Sequence, residues 1–266
     1  MTAAAGGRRC VLVTNDDGVA APGLAALARA AVALGHDVVV AAPSRDQSGT
    51  GAAIAPAMAE EGIRVTPAEL AGVEGVTAHA VDGPPALAVL AARLGGLGPL
   101  PDLVVSGVNA GPNTGYSVLH SGTVGAALTA ANFGLSGLAV SIDAAGPDNL
   151  DTATVVARAA LSWLVDAPAG TVLNVNVPDL PLDRLAGVRW APLASFGRVQ
   201  ATVRENDGGR LQMEISAGGQ EQEPGTDTAL LAAGFVTVTS IVAIQATPPN
   251  DAPRAIEASL TSSSID

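Results

Sequence analysis

Hydrophobic positions in the first 180 residues fall into two alternating kinds of run. Short, continuous apolar stretches rich in Val and Leu occur at CVLVTN (10–15), DVVVAAP (37–43), DLVVSGVN (102–109), GLAVSI (137–142) and TVLNVNVP (171–178). Between the first two, LAALARAAVAL (24–34) places Leu24, Leu27, Ala31 and Leu34 at helical spacing, and Gly35 supplies a stop. Further helical stretches lie near 84–94, 122–133 and 150–165. Unbroken apolar strands joined by helices predict a parallel sheet covered on both faces, an open α/β fold.

From about residue 185 the pattern turns to strands. GVRWAPL (187–193), QATVRE (200–205) and RLQMEIS (210–216) read as β-segments, with NDGG (206–209) a hairpin turn between the last two. GGQEQEPGTD (218–227) is polar and without period, a short helix is expected at 228–233, and FVTVTSIVAIQA (235–246) is strongly β-prone. The tail from Thr247 frays or reaches a partner subunit. The expected division is an α/β domain over residues 1–185 and a smaller β-rich lobe with its tail over 186–266.

Composition removes several chemistries. Of 266 residues 48% are hydrophobic but only six are aromatic, so the core must be built from Ala, Val and Leu. All 13 basic residues are arginines. Without lysine there is no Schiff base, no Walker A phosphate contact and no kinase-type lysine. The lone cysteine, Cys10, excludes an intrachain disulfide and a sulfur-ligated zinc, and fits a small apolar side chain in a reducing compartment. A net charge of −12 repels polyanions, so neither a nucleic-acid polymer nor an anionic membrane is expected as a partner. The start, MTAAAGGRRC, lacks a signal-peptide core and no uninterrupted apolar run reaches membrane-spanning length, which points to the cytoplasm.

In an open parallel sheet, ligands bind beyond the carboxyl ends of the strands, where strand order reverses. Asp16 and Asp17 end the first strand, and two adjacent carboxylates there repel unless a cation sits between them. Hard oxygen ligands suit Mg²⁺, Mn²⁺ or Ca²⁺. The same Asp-Asp-Gly is also an ordinary turn signal, with Asp16 capping the next helix. Ser48 and Asn109, at the ends of two other strands, are neutral oxygen donors or turn residues. Ser121, Gly122 and Thr123 open a helix, where free amides bind phosphate, or where Ser and Thr simply cap. His120 offers a proton or a structural hydrogen bond. No G-x-G-x-x-G follows the first strand, no G-x-x-x-x-G-K exists, and no G-x-S-x-G falls on a strand-to-helix elbow, so nicotinamide, P-loop and serine-triad readings have no support.

With these residues in view the chain resembles the SurE family, the metal-dependent 5′-nucleotidases also called survival protein E. The resemblance lies in VLVTNDDGVAAPGLAALARA, APSRDQSGTGAAI, VDGPPALAVL, PDLVVSGVNAGPNTGYSVLHSGTVGAAL, GLAVS and LNVNVP, in order across residues 10–180, and more loosely in TDTALLAAGFVTVTS. It implies an open, mostly parallel, Rossmann-like sheet with helices on both faces and a smaller β-rich C-terminal lobe. It also implies one divalent ion (Mg²⁺ or Mn²⁺) per subunit on Asp16, Asp17, Ser48 and Asn109, with Asp16 helping to position the attacking water. Asn113, Ser121, Gly122 and Thr123 would line a phosphate pocket. The implied substrates are nucleoside 5′- and 3′-monophosphates, and the implied assembly is a homodimer or homotetramer. Pro84, Leu87, Ser117 and Ser240 depart from the residues the family favours (Thr, Asp, Asp and Pro), and the C-terminal lobe has few of the expected Tyr or Trp. Alternatives are a non-catalytic metal- or nucleotide-binding module, or a phosphatase for another small phosphate ester. An aspartyl-phosphate mechanism is disfavoured by the D-D spacing and the missing lysine.

Overall fold

The structure is a computed structural model that describes residues 7–55, 60–195, 199–206, 210–217, 223–242, 244–246, 248, 251–254 and 256–257. Its strands are β1 (Cys10–Thr14), β2 (Asp37–Pro43), β3 (Val65–Ala68), β4 (Thr77–Val81), β5 (Leu103–Ala110), β6 (Ser136–Ile142), β7 (Val172–Val177), β8 (Gly187–Trp190), β9 (Val199–Asn206), β10 (Arg210–Ala217) and β11 (Phe235–Ile241). The helices are α1 (Pro22–Ala33), α2 (Pro85–Arg93), α3 (Gly122–Asn132), α4 (Leu150–Leu164) and α5 (Asp227–Ala232).

A nine-stranded sheet runs β3-β4-β2-β1-β5-β6-β7-β11-β8. From β4 to β7 every neighbouring pair is parallel, as the apolar runs predict. Side chains alternate between its faces with period two. Val11, Val13 and Val105 join one cluster with Leu24 and Leu27 of α1 and Leu161 of α4, while Leu12 and Val104 join a second with Ala88 of α2 and Ala126 of α3. Two apolar faces are buried, and strands of this kind need continuous Val and Leu. The largest fully buried side chains are Leu, Ile and Val, as the scarcity of aromatics requires.

Three features depart from the sequence pattern. β3 and β4 were not evident in it. β4 is five residues long, and β3 is an exposed edge strand carrying Pro67, which only an edge tolerates. β8 and β11, from the C-terminal stretch, extend the large sheet: β11 pairs antiparallel with β7 and parallel with β8. β11 also ends at Ile241 instead of continuing to 246, and Val242 and Ile244 beyond it are exposed. β9 and β10 form the expected antiparallel ribbon, with Arg210 opposite Asn206. The turn residues 207–209 and the loop residues 218–222 lie outside the described residues.

After β1 the chain moves outward through β2 to β4, then returns to place β5 on the other side of β1. The crevice beyond the carboxyl ends of β1 and β5 is thus the point where strand order reverses.

Candidate active site

The chain leaves β1 in a tight turn built by Asn15. Its side-chain nitrogen donates to the Gly18 carbonyl (3.1 Å), and its Oδ1 accepts from the Gly18 amide (3.2 Å). Gly18 has φ +105°, a conformation that a side chain would strain. Asn15 therefore does the turn-making, and the carboxylates of Asp16 and Asp17 are left for other partners. Nor does Asp16 cap a helix: α1 begins after Ala21 with no side-chain cap.

Asp16 is almost fully buried, at 3% exposure, against the start of α3. The Thr123 hydroxyl donates to its Oδ1. Burial pushes the Asp16 carboxyl above its ordinary range, and the Thr123 hydroxyl and amide pull the other way. Asp17 is half-buried, and its Oδ2 is enclosed with no hydrogen-bond partner among the described residues. Its carboxyl is pushed up to about 6, first by burial, then by the Asp16 charge, against an opposing contact from the Ala110 backbone.

The other predicted residues are held around this pair. The Gln47 amide donates to the Asp16 carbonyl (2.8 Å), which places Ser48 one residue further along the same loop. Ser48 donates its hydroxyl (2.6 Å) and its amide (2.7 Å) to Asp46 Oδ1, so its oxygen keeps its lone pairs free among the described residues. These two bonds hold the Asp46 carboxyl below its usual range. Asn109 donates its side-chain nitrogen to the Gly111 carbonyl (2.6 Å), which leaves its Oδ1 without a protein donor among the described residues.

Ser121 is the N-cap of α3, its hydroxyl accepting from the Val124 amide (3.1 Å), so the capping expectation holds for this residue. Asn113 is embedded in a network instead of standing open. Its amide donates to Asn176 Oδ1 (2.7 Å) and its side-chain nitrogen to the Ser141 hydroxyl (2.7 Å). Its carbonyl accepts from the side chains of Asn174 (2.8 Å) and Asn176 (2.9 Å). His120 is exposed, and its carbonyl accepts from the Gly51 amide (3.1 Å).

Sequence reasoning missed Asn174 and Asn176. Their signal was present, since two asparagines alternating within a buried apolar strand share one face and must find partners there. It also missed Asp227, which is wholly buried and binds three backbone amides: Gly115 (2.9 Å), Ala194 (2.9 Å) and Thr228 (2.8 Å). Asp227 thereby ties the 3₁₀ turn Gly115–His120, just before α3, to the segment after β8.

A divalent cation fits these donors. Two mutually repelling carboxylates, one with a buried oxygen lacking a partner among the described residues, are tied through Gln47 and Ala110 to the neighbours of Ser48 and Asn109, whose hydroxyl and amide oxygens are available donors. No group of three or more His, Cys, Asp or Glu gathers for a metal among the described residues, so such an ion would rely on neutral oxygens as well, as hard cations do.

The family model for Survival protein SurE matches residues 11–198. The chain belongs to the SurE family. It is 38% identical over 236 residues to the 5′/3′-nucleotidase SurE of Edwardsiella ictaluri, covering 87% of this chain and 89% of that protein. To the 5′-nucleotidase SurE of Methylococcus capsulatus it is 39% identical, covering 87% and 90%. Its fold is similar to that of the SurE protein from Aquifex aeolicus, with a TM-score of 0.72 at 28% identity over 90% of this chain and 95% of that one. Asp16, Asp17, Ser48, Asn109 and the start of α3 all fall within the SurE match, and so do Asn174 and Asn176. Asp227 falls beyond it.

Proposed function

We propose that this SurE protein is a divalent-metal-dependent phosphomonoesterase that hydrolyses nucleoside 5′- and 3′-monophosphates to nucleoside and phosphate. The observation that carries this reading is the seating of the Asp16 carboxylate on the first turn of α3, next in the chain to Asp17, whose Oδ2 has no hydrogen-bond partner among the described residues. A helix start, which attracts phosphate, has the Asp16 carboxylate placed against it. Carboxylates and phosphate share that space only with positive charge between them.

Asp16, Asp17, Ser48 and Asn109 would hold one Mg²⁺ or Mn²⁺ per subunit. When bound, such an ion supplies positive charge to the phosphoryl oxygens and makes water more acidic. The chain's own groups do the rest. The first amides of α3, at Gly122 and Thr123, stabilise charge on the phosphoryl group, with Ser121 and Asn113 shaping the pocket around it. Asp16 accepts a hydrogen bond from the attacking water and so orients it. Water attacks phosphorus, the ester P–O bond breaks, and one of the two protons of the water ends on the leaving oxygen, giving the nucleoside hydroxyl and hydrogen phosphate.

Residues 1–185 would carry this chemistry, while 186–266, beyond the strands β8 and β11 that they lend to the large sheet, would supply a lobe and tail used in assembly. A homodimer or homotetramer is supported by exposed apolar side chains, Ile54, Tyr116, Leu119, Val242 and Ile244, that line one shared surface depression. The described residues contain no helix long and apolar enough to cross a membrane. The relatives' nucleotidase names and the acidic charge support a cytoplasmic enzyme with neither a membrane nor a nucleic-acid polymer as partner.

Phosphate release from 5′- and 3′-nucleoside monophosphates, compared in EDTA, Mg²⁺ and Mn²⁺, tests the reading. Release is expected only with metal, and Asp16→Asn should abolish it while circular dichroism shows an intact fold. Metal-stimulated turnover in folded Asp16→Asn would overturn the assignment.

A further inference from the structure

Beside the acidic pair lies a cavity of about 590 Å³ that the phosphate chemistry does not use. It is far larger than a phosphate and falls within the usual range for small-molecule sites. Four charged side chains line it, Arg45, Glu61, Arg64 and Asp82, together with Gln47. Ile63 and Pro84 supply its apolar surface.

Its position is fixed by backbone bonds. Gln47, in its wall, donates its amide to the Asp16 carbonyl (2.8 Å). Ser44 donates to the Val81 carbonyl (2.8 Å), and Asp82 donates to the Arg64 carbonyl (2.9 Å). The loop carrying Arg45 and Ser48, the end of β4 and the segment before β3 are thus stitched into one wall next to the candidate metal ligands.

All four charged side chains are exposed to solvent. Two arginines and two carboxylates share the cavity, yet none pairs with another: the ion pair found among the described residues is Arg8–Asp37, elsewhere on the surface. Both arginine forks and both carboxylates keep their hydrogen-bonding capacity. With charges that cancel, the lining does not suit a second phosphate. It suits a neutral polar group that presents acceptors on one edge and donors on another.

We propose that this cavity is the nucleoside subsite and that it favours guanine. Guanine offers O6 and N7 as paired acceptors to an arginine fork, and N1–H and N2–H₂ as paired donors to a carboxylate. Adenine and the pyrimidines lack one or the other of these paired edges. Among the described residues no aromatic ring lines the cavity, so Ile63, Pro84 and the planar guanidinium groups pack against the base. This inference rests on the nucleotidase reading and extends it to the choice of base.

Two measurements test it on the full chain. In the first, kcat/KM with Mn²⁺ is compared for guanosine, adenosine, cytidine and uridine monophosphates and for p-nitrophenyl phosphate, which has no base. Guanosine monophosphate should lead the pyrimidine nucleotides by about tenfold or more, the size of one bidentate base contact. In both Asp82→Asn and Arg64→Gln the ratio of guanosine monophosphate to p-nitrophenyl phosphate should fall by about tenfold. A ratio unmoved by both substitutions, or equal rates for all bases, overturns the subsite. In the second, calorimetric titration of free guanosine needs no turnover. If no nucleotide is hydrolysed, the nucleotidase reading fails, whereas guanosine binding that Asp82→Asn weakens still supports the subsite. Absence of guanosine binding to the wild-type protein overturns it.

Discussion

A methyl group added at Gly122 would lie 2.8 Å from the Asp16 Cβ and 2.8 Å from its Oδ2. Helix α3 can reach the carboxylate only because its first residue has no side chain. Gly125, one turn on, is in the same situation, since a Cβ there would sit 2.4 Å from the Gly51 carbonyl oxygen. Gly122→Ala must push α3 away from Asp16. It is expected to cost about 1–3 kcal/mol of stability, read from urea unfolding, and about 100-fold in metal-stimulated phosphate release.

Thr123→Val keeps the shape of the side chain and removes the O–H that Asp16 accepts. A buried carboxylate oxygen left without its donor costs about 1–3 kcal/mol. The hydroxyl lowers the Asp16 pKa, so its loss raises it. The acidic limb of the kcat/KM profile should therefore move to higher pH, and Thr123→Ser should restore it.

Asp17 makes the metal-free protein sensitive to pH. Burial and the Asp16 charge push its folded carboxyl up to about 6, above its ordinary value of 3.8, so between these two values the folded state holds more proton than the unfolded state. Stability from this group is complete below the lower value and is lost as pH rises through the upper one. In EDTA the urea midpoint should fall between pH 4 and pH 7, and Asp17→Asn should flatten that slope while removing metal stimulation. A midpoint that rises over this range in wild type and variant alike would contradict the burial of Asp17.

Asp227→Ala would leave the Gly115, Ala194 and Thr228 amides without their shared acceptor. A loss of about 3 kcal/mol or more is expected. Because Gly115 opens the turn that leads into α3, the KM for nucleotide should rise as well. Asp227→Asn preserves one acceptor oxygen and should lie between wild type and alanine in both readouts.

The parallel sheet was legible in the sequence because a strand buried on both faces has to be apolar throughout, and runs such as VVVAA and LVV satisfy little else. The acidic pair was legible for the opposite reason: adjacent carboxylates at the end of such a strand contradict their surroundings unless something answers them. The same sequence also determined what the chemistry excludes, since a chain without lysine and with one cysteine lacks whole classes of catalyst.

Only the tertiary structure decided the rest. β3 and β4 are short, and edge pairing selected them where local pattern did not. The placement of β8 and β11 in the large sheet depends on β7 presenting a free edge, a contact between residues about 60 apart in the chain. The turn residue among Asn15, Asp16 and Asp17 was fixed by the carbonyl and amide of Gly18, and the roles of Asn174, Asn176 and Asp227 by backbone groups far along the chain. A sequence reports which residues must be buried or charged. Which buried polar group meets which partner is a property of distance in three dimensions, and that is where the geometry of this site was determined.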